Sequence, residues 1–451
     1  MNTTNTAVYG DSWYAAAPVT APERPSLTSD TDVDVCVIGG GLAGLTVARE
    51  VARRGWSVAV LEAKRVAGSA SGRNCGLVLP GFAQDIRLIV ERVGIERARE
   101  LWALSEAGAE YVRATIRDTG MSGIDPVDGW LDVSRTDNTD EFVSLVALLG
   151  QDLGVEIEGW PAERVRETLK SERYFSAIHF PKAFHINPPN YALGLANAAE
   201  SAGVRIFENT RALSFDPGGV RKRIVTSSAR LRAAHVVLAG GAHLGALMPR
   251  IAETLLPITT FVAVTAPLGE RLNDAIRYRG AVSDAHGPDR HYRVVAGDRL
   301  MWAGGLSTWN GNAHRWAKQA VREIGRIYPQ LGRVKIDYAW SGVLGLPLHK
   351  MPQIGEISPG VWLAGGFGGH GLNTTAMAGE LIARAILDGD DRWRLFLPFE
   401  LMWAGGVSGR AVVQAAYWAD RMVARKTWLA RRLSRTKPNH KSFRSIPSSA
   451  R

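Results

Sequence analysis

The sequence predicts an α/β protein in which a unit built on a parallel sheet is interleaved with an α+β unit built on a mostly antiparallel sheet. Two observations predict it. Glycine-rich strand-to-helix junctions stand far apart, at "DVCVIGGGLAGLTVAREVARRGWSVAVLEA" (34–63) and "GVWLAGGFGGHGLNTTAMAGELIARAI" (360–386). Between them run charged helical patterns and strand signals separated by turn residues, among them "LPITTFVAVTAPL", "HYRVVAGDRLMWAGG" and "DYAWSGVLGLPLHKMPQIG".

The first junction reads element by element. Val35–Ile38 is an unbroken apolar run, as expected of a parallel strand buried on both faces. Gly39, Gly41 and Gly44 fall in the G-x-G-x-x-G spacing. The first glycine allows the tight turn, the second lets a diphosphate approach the backbone at Leu42 and Ala43, and the third lets helix and strand pack closely. Leu45, Ala48, Val51 and Ala52 keep helical spacing, and Arg53-Arg54-Gly55 forms a basic last turn with a glycine stop. Ser57 to Leu61 is a second apolar strand, ending at Glu62 and Ala63, where the carboxylate suits a ribose diol. Together these residues predict a Rossmann-like dinucleotide-binding unit.

A nicotinamide nucleotide needs one such bend. Two distant ones imply a chain that leaves the nucleotide unit, builds another, and returns. That topology suits FAD, with its adenine end at the first bend and its flavin ring at the last. At the second bend, Gly366, Gly368, Gly369, Gly371 and Leu372 offer backbone N–H groups ahead of a helix predicted to start near Leu372 to Thr375. A helix N-terminus carries roughly half a positive charge and favours negative charge on a reduced flavin. His370 is a candidate to sit over the ring. In "SASGRNCG", the Ser71 hydroxyl, the Arg73 guanidinium and the backbone of Gly72, Asn74 and Cys75 can face a diphosphate or flavin edge. Gly240, at the end of "LRAAHVVLAGG", joins the cofactor-binding set. Cys75 is read as a small residue packed near the cofactor. On the strand "HYRVV", Arg293 is expected to hold a carboxylate and Tyr292 to wall the amine. His185, His349 and Lys350 are weaker candidates, and the scattered histidines predict no metal site.

The bulk numbers bound the rest. The 451 residues suffice for two or three domains. No basic-then-apolar leader opens the sequence, and no apolar run reaches the roughly 18 residues of a spanning helix. With two cysteines, Cys36 and Cys75, there is no disulfide framework, and a reducing cytoplasm is the expected location. The net charge of +10 resides in the tail: positions 421–451 hold ten Lys and Arg and no acid, leaving 44 basic against 44 acidic residues elsewhere. Nucleic acid is therefore not an expected partner. Residues 411–433 read as a basic amphipathic helix, docked on its own body or, as the lesser reading, touching an anionic membrane. "RTKPNHKSFRSIPSSAR" has the composition of disorder.

The expected division is an N-terminal arm over 1–31, then a discontinuous FAD-binding domain over 32–95, 176–255 and 340–390. The substrate domain covers 96–175 and 256–339, and the C-terminal helical segment and tail cover 391–451.

These motifs resemble the FAD-dependent D-amino-acid-oxidase-like family, which includes glycine oxidase, sarcosine oxidase and gamma-glutamylputrescine oxidase. The resemblance runs from "DSWYAAA" to "QAAYWADR". "LEAKRVAGSASGRNCG", "HINPPNYALGLANAAESAGVRIFENT" and "GGFGGHGLNTTAMAGE" look most like the gamma-glutamylputrescine oxidase branch. It implies that Gly39, Gly41 and Gly44 hold the diphosphate, that Glu62 holds the ribose, and that the backbone at Ala212 contacts adenine. It also implies amine oxidation by hydride transfer to the flavin. An imine forms and hydrolyses, and dioxygen or another acceptor reoxidises the ring. The implied substrate is a gamma-glutamylated polyamine, with glycine, sarcosine or D-amino acids as the alternative. A reading of another class makes the flavin fold a scaffold tethered by its tail to membrane or nucleic acid. Two residues depart from the family pattern: Cys75 replaces a usual glycine, and His349 stands where many relatives have an acid before "PQIG".

Overall fold

In the computed structural model, which describes residues 12–16, 22–284, 290–309 and 311–435, the apolar run at 35–38 lies inside the strand Thr31–Ile38. It is the center of an eight-stranded sheet among the described residues. The main order is Gln353–Ser358, Val361–Gly365, Arg230–Leu238, Thr31–Ile38, Val58–Leu61, Arg205–Phe207. All of these run parallel except Gln353–Ser358, which closes one edge antiparallel. Side-chain alternation divides the strand between two cores. Val35 and Val37 face a core that contains the helices Leu42–Ala52, Ile95–Thr119, Pro188–Ser201 and Gly371–Asp388. Cys36 and Ile38 face the opposite core with Ile224 and Leu231. An unbroken apolar run was needed because neither face meets water.

The second sheet has nine strands among the described residues, in the order Ile336–Leu346, Leu256–Thr265, Arg299–Ser307, Arg290–Val295, Ala281–Asp284, Val127–Ser134, Ser176–His185, Leu77–Val78. Glu158–Pro161 pairs alongside Ser176–His185. Only Ala281–Asp284 and Val127–Ser134 pair in parallel. The helix Ala313–Ile327 covers one face through Trp316, Ala320, Ile324 and Ile327, one apolar stripe at helical spacing. Its start is set by Asn312, whose side chain accepts from the N–H groups of His314 and Arg315.

The expected boundaries at 176 and 340 do not follow these sheets. Ser176–His185 pairs along its length with Val127–Ser134, and Ile336–Leu346 with Leu256–Thr265. Both strands belong to the second sheet, because a run of strand residues carries no local mark of the sheet it joins. The N-terminal segment is also more than an arm. Tyr14 is buried beside Met301 and Trp340, and Arg24 is buried on Glu200 and Glu208. The C-terminal segment forms the helix Gly406–Arg435. The expectation of disorder concerns residues that, from 436 onward, lie outside the described ones.

Candidate cofactor and substrate site

Gly39 leaves its strand at φ +116°, and a β-carbon there would lie 2.7 Å from the carbonyl oxygen of Ala239. At Gly44 a β-carbon would lie 2.2 Å from Gly39 O and 2.9 Å from Val37 Cγ1. Helix and strand therefore approach more closely than any side chain allows. Gly41 differs, since its β-carbon position meets only Ser71 Oγ, at 3.0 Å. That hydroxyl accepts from Leu42 N–H at 3.1 Å. The N–H groups of Ala43 and Gly44, which have no acceptor within their helix, are left for an anion. Glu62 braces the turn by accepting from Gly40 N–H at 2.8 Å and Lys64 N–H at 2.9 Å. Each oxygen keeps acceptor capacity for a hydroxyl. Ala63 is exposed next to it. Thr210 N–H donates to Glu62 O at 2.8 Å, which brings the backbone leading to Ala212 beside the same end. Gly240 backs the bend, its nitrogen 3.0 Å from the β-carbon position of Gly39.

The second bend opens on the same sheet edge. Val361–Gly365 and Thr31–Ile38 both run parallel to the strand between them, Arg230–Leu238. Gly366, Gly368 and Gly369 all have positive φ, at 68°, 64° and 118°. The helix begins at Gly371, one residue before the expected start, with half-buried His370 as its N-cap residue. Thr374 and Thr375 return their hydroxyls to the carbonyls of His370 and Gly371. β-Carbons at Gly369 and Gly371 would meet nothing within 4 Å. The first N–H groups of the helix, including that of Leu372, have no intrahelical acceptor. This helix packs directly on Leu42–Ala52, for a β-carbon at Gly379 would lie 2.5 Å from Thr46 Cβ. Both bends are thus parts of one rigid edge, and their open sides, with N–H donors at each, fit a long dinucleotide.

Between the bends, the Ser71–Gly76 loop carries the chain from the first sheet to the second. Arg73 Nε donates to Ser341 O at 2.7 Å, and Trp340 Nε1 donates to Arg73 O at 2.8 Å. Gly72 is buried, and Asn74 Oδ1 accepts from Gly76 N–H at 2.8 Å. Arg73 is tied to the second sheet through both its Nε and its carbonyl, which places it at the seam between the sheets. Half-buried Cys75 packs with Tyr14, Met301 and Trp340. Burial pushes its thiol pKa up, with the Arg293 guanidinium opposing.

Arg293 is the most consequential side chain here. It is 6% exposed. Its Nη2 would lie 2.8 Å from a β-carbon on Gly76, so it stands against the loop. Nη1 contacts His185 Nδ1 at 2.7 Å and Nη2 donates to the Tyr14 hydroxyl at 3.4 Å. Nε is buried without a partner, and among the described residues no carboxylate pairs with this cation. His185 Nε2 contacts Arg279 O at 3.0 Å. A carbonyl only accepts, so Nε2 carries the proton and Nδ1 receives the Arg293 N–H. Burial, with Arg293 second, lowers the His185 pKa to about 3, in keeping with that neutral tautomer.

Tyr292 does not wall this space. It is the cross-strand partner of Trp302 and stacks on it at 4.7 Å. Its hydroxyl lies 3.1 Å from Tyr174 OH and 2.6 Å from Tyr328 OH, in the core beneath the sheet. Adjacent strand residues point to opposite faces, so Arg293 facing the loop requires Tyr292 to turn away. His349 is held by backbone at both ring nitrogens, through Met351 N–H and Glu400 O. The residue missed in the sequence is Tyr14, which also donates to Asn74 O at 2.9 Å. It lies in "DSWYAAA", where the family resemblance begins but where the spacing marks no site residue.

A parallel sheet with both bends on one edge, abutting a second and mostly antiparallel sheet, defines a flavin-dependent oxidoreductase class. The chain belongs to the FAD dependent oxidoreductase family, DAO, which matches residues 34–385. It is 32% identical to gamma-glutamylputrescine oxidoreductase of Escherichia coli, over 85% of this chain and 91% of that protein. Identity is 30% to "Probable oxidoreductase OrdL" of Haemophilus influenzae, over 82% and 87%. Glycine oxidase from Geobacillus kaustophilus superposes with a TM-score of 0.69 at 20% identity, covering 82% of this chain and 98% of that one. FAD is the cofactor of this chain, and it is an enzyme.

Proposed function

We propose that this protein oxidises the C–N bond of a small amine bearing a carboxylate, with a gamma-glutamylated polyamine such as gamma-glutamylputrescine as the leading candidate. The observation that carries the reading is buried Arg293, a cation whose Nε has no partner and which no carboxylate pairs among the described residues. Leaving such a charge in the interior is costly unless a ligand supplies the anion. Tyr14 and His185 hold the guanidinium on two sides, so its remaining donors are fixed in place before substrate arrives. FAD, when bound, accepts the hydride released from the carbon next to nitrogen. The chain's part is to position the amine, exclude water with the apolar wall of Met301 and Trp340, and keep His185 neutral so that it does not repel Arg293. Dioxygen is the proposed electron acceptor.

The same arginine suits an α-carboxylate, so oxidation of glycine, sarcosine or a D-amino acid is the second reading. Anaerobic bleaching of the purified yellow protein by a panel of amines separates the two. Gamma-glutamylputrescine should bleach it faster than glycine, sarcosine or D-alanine. Bleaching by those amino acids alone overturns the polyamine assignment and keeps the amine chemistry. Arg293→Ala should raise KM for carboxylate-bearing substrates roughly 30- to 150-fold, the loss of one buried charge-assisted hydrogen-bonded pair. Putrescine, which has no carboxylate, should be little affected. An equal loss for both substrates removes Arg293 from carboxylate binding.

A further inference from the structure

The first turns of the helix Gly406–Arg435 pack on the second sheet through Arg410, Val413 and Gln414. Gln414 Oε1 accepts from Thr308 N–H at 3.0 Å, Arg410 Nε donates to Thr308 O at 2.7 Å, and Val413 joins Leu256, Leu306 and Leu346. Its outward face is unusual. Over Gly406–Ala419 and at Met422, no exposed position carries a charge, and Ser408 alone has a polar side chain. Val407, Val412, Trp418 and Met422 are each more than half exposed, as is Trp403 just ahead of the helix. Ala313–Ile327, on the same sheet, shows the ordinary pattern, presenting His314, Arg315, Lys318, Arg322 and Arg326 to water. Next to the bare face, the apolar surface continues over half-exposed Trp309, capped by the Arg410 guanidinium at 4.7 Å from its ring.

We propose that this face lies on an anionic lipid surface. A single partner must answer two adjoining features, an uncovered apolar helix face and a following segment, 421–451, with ten basic residues and no acid. The remainder of the chain balances 44 basic against 44 acidic residues, so its own body has no net charge with which to retain that segment. A second copy docked through the same face would bring two such segments together and repel. A bilayer with acidic headgroups meets both features, its acyl boundary taking Trp403, Val407, Trp418 and Met422 and its phosphates the basic run. No helix among the described residues is long and apolar enough to cross a membrane, so the contact is in the plane of the surface.

The test is flotation of the FAD-loaded full chain with vesicles of phosphatidylglycerol and phosphatidylcholine, or of phosphatidylcholine alone. Binding to the anionic vesicles should exceed the other at least tenfold and weaken with salt. Val407→Ser, Trp418→Ser and Met422→Ser together should reduce it at least tenfold while leaving the flavin spectrum and turnover unchanged. Replacing Arg425, Lys426, Arg431 and Arg432 by Gln should remove the preference for anionic lipid. Failure to float overturns the proposal, as does binding indifferent to the serine changes, which would leave tail charge without a docking face. A dimer in sedimentation velocity that the serine variant dissociates assigns the face to a second copy and overturns it too. So does tight duplex DNA binding that displaces the vesicles.

Discussion

The two glycine bends look alike in sequence and differ in what their glycines do. At Gly39 and Gly44 a side chain would strike backbone oxygen at 2.7 and 2.2 Å, whereas at Gly369 and Gly371 it would enter open space. The first bend is closed by the protein on itself, and its glycines serve packing as much as ligand. The second is open at Gly369 and Gly371, while Gly366 and Gly368 turn the backbone at positive φ against Gln353 and Ala83. Glycine richness by itself therefore does not say whether a loop is a joint or a berth. The distinction lies in what surrounds it.

The comparison can be broken most directly at Gly44. Gly44→Ala should cost about 3 kcal/mol or more, since overpacking against a backbone oxygen has no flexible neighbour to yield. Urea unfolding of the cofactor-free protein measures it, and an unchanged midpoint would mean the bend is not self-packed. Glu62→Ala should cost about 1–3 kcal/mol in the same assay by stripping two backbone N–H groups of their acceptor. If stability changes only when FAD is present, Glu62 serves the ligand and not the turn.

Gly371→Ala should do the opposite. Stability without cofactor should move by less than about 0.5 kcal/mol, while FAD affinity falls about tenfold, read by flavin fluorescence on titration. Equal loss in both would show that the second bend is packed like the first.

The gentlest probe concerns the wall beside the open bend. His185 is held at both ring nitrogens, and its pKa falls from 6.5 to about 3 on burial beside Arg293. A depressed value means that the unfolded chain takes up the proton first as pH drops. The contribution of His185 is complete above pH 6.5 and is lost as pH falls toward 3, at up to about 1.4 kcal/mol per pH unit. His185→Gln should flatten the decline in melting temperature between pH 6.5 and 5.5. An identical slope would show that His185 is protonated in the fold.

What could be read from the sequence was what local spacing dictates. The Val35–Ile38 run, the glycines at 39, 41 and 44, and Glu62 at the end of the second strand are near neighbours, and each constrains the next. The helix at Gly371 was announced by the same logic. The choice between Arg293 and Tyr292 was not readable, because both faces of that strand are buried and its alternation carries no polar signal. Tyr14 reaches Arg293 across 279 positions, and Ser69 reaches His243 across 174, contacts that no window of residues can show. The edges of the units failed for a related reason. Ser176–His185 and Ile336–Leu346 are good strands, but sheet membership is decided by partners far along the chain.

The packing of Gly379 on Thr46 joins a helix made late in synthesis to one made early. Thr31–Ile38 can pair early with Val58–Leu61, but its other neighbour is Arg230–Leu238, and the edge that carries both bends is complete only once the helix Gly371–Asp388 has docked. A chain interrupted before residue 371 therefore lacks one of the two bends and should purify colourless.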